Sequence, residues 1–123
     1  MPIKSYQKGA RAERELTHFL NSRGFSCIRS ASSGGFLYPV DVVALKKGRV
    51  LCFEIKSWAK KPKLEKKKLE RFKEWCERAD GFAFLGWYNE NRWRFLTLKD
   101  AEAGNYDDDN WMQLNQLLEI FNI

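Results

Sequence analysis

Four ionisable residues interrupt apolar surroundings in the first half of the chain: Glu13, Asp41, Glu54 and Lys56. Glu54 and Lys56 stand inside "VLCFEIKSW" (residues 50–58), where Val50, Leu51, Phe53, Ile55 and Trp58 read as the apolar surface of an interior strand. Residues two apart on a strand share a face, so this segment sets a carboxylate beside an ammonium. Asp41 breaks the apolar run "YPVDVVAL" (38–45), and Glu13 precedes Leu16 and Leu20 on the inward face of a helical pattern. Three carboxylates brought together in apolar surroundings carry a large desolvation cost, and one lysine cannot neutralise them all. A divalent cation is the natural missing charge. Carboxylates with few competing His or Cys ligands select a hard ion, Mg²⁺ or Mn²⁺. An ion so held, with an ammonium beside it, suits a reaction in which negative charge grows on oxygen. Any one of these residues alone reads more simply, as an ion pair of Lys56 with Glu54 or Asp41 while Glu13 stays exposed. The four together at this spacing favour a site.

The elements that must position them follow from periodicity and breakers. Residues 5–23 read as a helix with Ala12, Leu16, Phe19 and Leu20 inward and Gly24 as the stop. "FSCIRSA" reads as a strand, with Phe25, Cys27 and Arg29 on one face and Ser26 and Ile28 on the other. "SSGG" is a turn or loop. "YPVDVVAL" and "VLCFEIKSW" flank the short turn "KKGR", so they pair antiparallel and bring Asp41 next to the strand of Glu54 and Lys56. A lysine-rich connection with Pro62 leads to a helix over residues 64–79, with Leu69, Phe72, Cys76 and Ala79 on one face. "FAFLGWY" and "WRFLTL" form a hairpin around "NENR", with Trp87, Trp93 and Phe95 in the core. Trp111, Leu114, Leu117, Leu118 and Phe121 mark a last amphipathic helix that closes the core or makes a dimer face. The order αβββαββα predicts an α/β fold, a mixed sheet of about five strands flanked by helices.

At 123 residues the chain is read as one domain, residues 1–123. It has no apolar run long enough to span a bilayer and no apolar leader, so an intracellular protein away from membranes is expected. Cys27, Cys52 and Cys76 form no paired motif and read as reduced, buried thiols. The single histidine, His18, reads as a surface residue. The net charge of +6 is unevenly spread. Residues 56–73 hold nine Lys or Arg against two Glu, whereas residues 97–123 hold one Lys against six acids. A basic N-terminal field of this kind draws polyanions, although most charge runs are simply solvated faces.

These residues resemble a known family. "PVD" followed by "EIK" is similar to the PD-(D/E)xK nuclease superfamily, although Val40 separates Pro39 from Asp41 where the superfamily name implies adjacency. With "KGARAERE" (8–15), "GFSCIRSASSGG" (24–35), "VDVVAL" (40–45), "EIKS" (54–57) and "AGNY" (103–106), the chain resembles the archaeal-type Holliday junction resolvases. The resemblance implies a restriction-endonuclease-like fold and a homodimer that cuts four-way DNA junctions by paired symmetric nicks. It implies Mg²⁺, with Mn²⁺ as a substitute, and no small-molecule cofactor. Asp41, Glu54, Glu13 and the carbonyl of Ile55 match the metal-binding positions, and Lys56 the lysine that orients the attacking water. Ser33 matches a loop serine implicated in cleavage, with Ser32 adjacent. Arg14 and Arg29 match residues that contact phosphate, and Lys8, Arg11, Lys60 and Lys61 are further candidate DNA contacts. Phe36 and Tyr38 either stack on splayed bases or pack. The alternatives are another nuclease of this superfamily acting on duplex or flap DNA, and a basic DNA-binding protein whose acids are structural.

Overall fold

The computed structural model describes residues 2–30 and 39–121, with side chains from residue 9 onward. Ser32, Ser33, Phe36 and Tyr38 therefore lie outside the described residues, as does the side chain of Lys8. Helix α1 (Pro2–Ser22) leads into β1 (Ser26–Arg29), β2 (Val42–Lys46) and β3 (Arg49–Lys56). Helix α2 (Lys66–Arg78) crosses to β4 (Phe82–Asn89), which turns into β5 (Arg92–Thr97). A short α3 (Leu98–Glu102), a 3-10 turn (Asp108–Asn110), β6 (Met112–Gln113) and α4 (Leu114–Phe121) complete the chain.

The local chemistry explains most of these boundaries. Gly24 takes φ +91°, and the Phe25 N–H returns to the Leu20 carbonyl at 3.0 Å, which closes α1. The β2–β3 turn puts Lys47 and Gly48 at positive φ, and the β4–β5 turn does the same with Glu90 and Asn91. Two-residue turns of that hand match the twist of the strands they join. The six strands lie in the order β1-β2-β3-β4-β5-β6. Only β3 and β4 are parallel, because α2 carries the chain back between them.

The sheet is covered on both faces. Ala12, Leu16 and Leu20 of α1 and Leu117 and Phe121 of α4 pack with Leu51, Phe53 and Ile55 of β3 on one side. On the other, Phe72 and Cys76 of α2 and Ala101 of α3 pack with Cys52, Leu85, Trp87 and Leu96. Alternation along β3 therefore sends Cys52, Glu54 and Lys56 toward the α2 layer. Strand β1 and the outer part of β2 are less covered on that side, and Ile28 and Leu45 remain 65% and 37% exposed.

The expected architecture holds, with four differences. The sheet has six strands, because Met112 and Gln113 pair with β5 before the last helix begins. Thr97 accepts from the Asp100 N–H at 3.1 Å and so starts a short helix that apolar periodicity does not reveal. Asp41 sits just before β2 rather than within it. Trp58 is 44% exposed instead of interior, and the Lys56 ammonium lies over its ring at 5.3 Å. The core assignments of Trp87, Trp93 and Phe95, the exposure of His18 and the buried free thiols of Cys52 and Cys76 are as expected, whereas Cys27, on the edge strand β1, is free but only half-buried. Among the described residues no helix is long and apolar enough to cross a membrane.

Gly81, between α2 and β4, sets how closely the crossover approaches β3. A Cβ there would lie 2.8 Å from Cys52 Sγ and 3.3 Å from the Val50 carbonyl. Gly81→Ala is expected to destabilise the protein by about 1–3 kcal/mol in urea unfolding, with Cys52→Ala in the same chain recovering part of the loss. An unchanged midpoint would refute this close approach.

Candidate active site

The site forms at the end of β2 and β3. The Asp41 N–H donates to the Phe53 carbonyl at 2.9 Å, and the Ser30 N–H donates to the Asp41 carbonyl at 2.9 Å. Since Val42 pairs with Phe53, Asp41 stands opposite Glu54 with its side chain on the α2 face. The Ile55 N–H donates to Asp41 Oδ2 at 2.7 Å and fixes that carboxylate. Asp41 and Glu54 are 3% and 6% exposed, the two charged side chains buried in the core among the described residues.

Two such acids side by side cannot both carry charge without help. Burial pushes the Glu54 carboxyl up to about 9; its hydrogen bond to Asp41 and the charge there add to the rise, against the pull of Lys56 and Lys68. Glu13 reaches the same field from α1. It is pushed up to about 7, first by burial and then by the Asp41 charge, while Arg29, Arg14 and Lys56 oppose the rise. Its carboxylate lies 3.6 Å from Arg29 Nε. Lys56 is held below its ordinary basicity chiefly by burial, with Lys68 adding to the drop and Glu54 and Asp41 opposing it.

The four residues singled out from their spacing therefore share one electrostatic neighbourhood, although they arrive from two layers. Asp41, Glu54 and Lys56 occupy the α2 face, whereas Glu13 and Arg29 meet on the α1 side and act on the pair around its end. Arg11 and Arg14 are exposed on α1, as are Lys60 and Lys61 beyond β3. The Lys61 ammonium is engaged with Asp108.

Lys68 was missed as a site residue because it is one of nine cations between residues 56 and 73. The signal was its spacing: it stands four residues before Phe72 and eight before Cys76, the two buried residues of α2. That places it on the inward face, half-buried, while Lys66 and Lys67 are exposed.

The donor set fits a hard divalent cation. Asp41 and Glu54 offer adjacent carboxylates with a proton retained between them where a metal charge would otherwise stand, and Glu13 adds a third acid within electrostatic reach. The fit is to a two-carboxylate core, since among the described residues no three such side chains close on one point. Among the described residues, the buried Arg29 Nε and Ser57 Oγ have no hydrogen-bond partner.

A mixed sheet built from an antiparallel β1–β3 meander and one parallel crossover, with Asp41, Glu54 and Lys56 at its rim, defines the restriction-endonuclease-like class of fold. Within that class, the chain belongs to the archaeal Holliday junction resolvase (Hjc) family, whose family model matches residues 4–122. It is 35% identical over 109 residues to the crossover junction endodeoxyribonuclease Hjc of Sulfolobus acidocaldarius, covering 83% of this chain and 76% of the relative. The protein of the same name from Methanocaldococcus jannaschii is 41% identical over 81 residues, covering 65% of this chain and 58% of the relative. Among solved structures, Archaeoglobus fulgidus Hjc, a Holliday junction resolvase from an archaeal hyperthermophile, superposes with a TM-score of 0.64 at 27% identity. That match covers 74% of this chain and 78% of the other.

The raised Glu54 pKa has a defined effect on stability. Folding holds a proton on Glu54 from its ordinary value of 4.5 up to about 9, so the native state loses ground to the unfolded chain as pH rises through that window. Glu54→Gln removes this liability. In EDTA the variant is expected to melt about 5 °C above the unsubstituted protein at pH 8, with the gap narrowing toward pH 5. Equal melting temperatures at both pH values would contradict the buried acid pair.

Proposed function

We propose that this chain is a crossover junction endodeoxyribonuclease that hydrolyses phosphodiesters near the branch of four-way DNA junctions in recombination and repair. On this reading it works as a homodimer, makes paired symmetric nicks, and uses Mg²⁺, with Mn²⁺ as a substitute. The observation that carries the reading is the buried Asp41–Glu54 pair with Lys56 two residues further on the same strand face. Asp41, Glu54 and the Ile55 carbonyl would hold the metal, with Glu13 completing its charge balance. A bound Mg²⁺ supplies charge relief to the phosphoryl oxygens and lowers the pKa of water.

The rest is the chain's own work. Lys56 extends from a strand fixed by pairing on both sides, so its ammonium is positioned before substrate arrives. The Glu54 and Asp41 charges favour its ammonium form against the burial that opposes it, and that ammonium would orient water and meet growing negative charge. Lys68 adds a second cation from α2 on the same side. Arg29, ion-paired with Glu13 at 3.6 Å, adds a further cation to the field that meets the phosphate. Recognition rests on phosphate contacts and junction shape rather than base edges.

Two observations support a twofold partner. A four-way junction has near-twofold symmetry, which a C2 dimer with two sites matches directly. Ile28 and Leu45 also leave apolar surface on the less covered part of the sheet. Ile28→Glu with Leu45→Lys is expected to give a monomer in sedimentation while the isolated domain stays folded. A dimer that survives both substitutions would place the interface elsewhere.

The decisive assay compares a synthetic four-way junction with linear duplex, in Mg²⁺ and in EDTA. Metal-dependent nicks on opposing strands near the branch are expected, with duplex spared. Glu54→Gln should abolish cleavage while junction binding persists, and Lys68→Ala should slow cleavage about tenfold or more. Cleavage by Glu54→Gln at the normal rate would overturn the site, and equal cutting of duplex would overturn the junction preference.

A further inference from the structure

The sheet face that carries Lys56 continues past the active site. Lys56 pairs with Trp87 in the parallel β3–β4 ladder, Trp87 pairs with Arg94 across β4–β5, and Arg94 pairs with Gln113 across β5–β6. These four residues form one row across four strands. Arg94 lies over the Trp87 ring at 4.7 Å, and Trp87 meets Trp111 edge-on with centroids 5.5 Å apart. At the end of the row a cleft of about 310 Å³ opens, lined by Arg92, Arg94, Asp108, Trp111, Gln113 and Gln116.

We propose that this cleft holds a backbone phosphate of the DNA on one side of the cut, making Arg92 and Arg94 a substrate-positioning subsite separate from the metal-binding acids. This rests on the reading of the protein as a DNA junction nuclease and names where one arm is held. Three features of the cleft carry it. Among the described residues neither guanidinium has a hydrogen bond or ion pair within the chain, and a planar fork of unused N–H donors is suited to phosphate. Stacking on Trp87 limits the motion of Arg94, so less freedom is lost when it binds. The Gln116 side-chain oxygen Oε1 accepts from the Gln113 N–H at 2.8 Å, and among the described residues its Nε2 has no partner.

The charge balance is favourable as well. Asp108 lines the cleft but is paired with Lys61, so three cations stand against one carboxylate. Adjacent strands are about 4.8 Å apart, which puts Arg94 about 10 Å along the sheet from Lys56. At about 3.4 Å of rise per nucleotide, a strand cut beside Lys56 would present its backbone to the cleft about three nucleotides away.

The test is the salt dependence of DNA binding in EDTA, followed by fluorescence anisotropy on a four-way junction and on linear duplex. Arg92→Ala, at an exposed position, is the variant least able to disturb the fold; Arg92→Ala with Arg94→Gln removes both forks. The slope of log K against log salt should fall by about 1 in the double variant, where the phosphate contact is lost, and by less in the single, with the double variant about tenfold weaker or more in affinity. Arg78→Ala, an exposed cation on α2 that is paired with Glu74, should keep the original slope and serves as the control. Unchanged slopes in both cleft variants would overturn the subsite while leaving the nuclease reading in place. A reduced slope with equal affinity for junction and duplex would support the subsite and overturn the junction preference. An unsubstituted protein that binds neither DNA would overturn both.

Discussion

Two carboxylates facing each other across neighbouring strands are the constraint that the rest of the molecule is arranged around. Asp41 and Glu54 are nearly dry, and like charges so placed repel strongly where water cannot screen them. The surrounding chain meets that cost in several ways. The Ile55 N–H binds one Asp41 oxygen, a proton stays on Glu54, and Lys56 and Lys68 bring opposite charge to the same face. Beneath them, Phe53 packs on Phe84 and Phe95 with ring centroids 5.8 and 5.6 Å apart. That aromatic layer makes the strand end stiff enough to keep the acids in register when their mutual repulsion would drive them apart.

The sequence made half of this arrangement readable. Strand alternation fixed the shared face of Glu54 and Lys56, and a two-residue turn forced the Asp41 strand beside them. Both are rules of local geometry, which survive whatever the tertiary fold does. Glu13 was harder. Helical spacing sets it inward, but no local rule says that α1 covers the opposite face from the acids, so its approach around the sheet edge became visible only in three dimensions. Lys68 and Arg94 were hidden for a related reason: one sits in a run of lysines and the other in "WRFLTL", and their meaning depends on the strand or helix packed opposite. Trp58 was misread because apolar character alone does not separate a core residue from one that stands over an ammonium at the rim.

The charge asymmetry of the chain also gains a physical meaning. The acidic C-terminal third folds back on the lysine-rich connection, where Asp108 pairs with Lys61 and Glu102 with Lys73. Exposed pairs of this kind add little stability. Their effect is on the field, since each acid is offset by the lysine it pairs with, while Lys56 and Lys68 beside the acid pair and Arg92 and Arg94 at the far cleft form no ion pair among the described residues.

The single parallel pairing divides the site by the length of chain that must close to make it. Asp41 and Glu54 come together when β2 and β3 join through Lys47 and Gly48, a very short loop. Lys68, Trp87 and Arg94 reach the same face only after residues 57–81 have crossed back to set β4 against β3. Closing the longer loop costs roughly 2 kcal/mol more in chain entropy. Asp41, Glu54 and Lys56 thus belong to a local unit, and Lys68 and Arg94 to a distant one. Loosening the crossover would remove Lys68 and Arg94 from this surface first, leaving the hairpin with Lys56 beside its acids but a weaker pull on a polyanion.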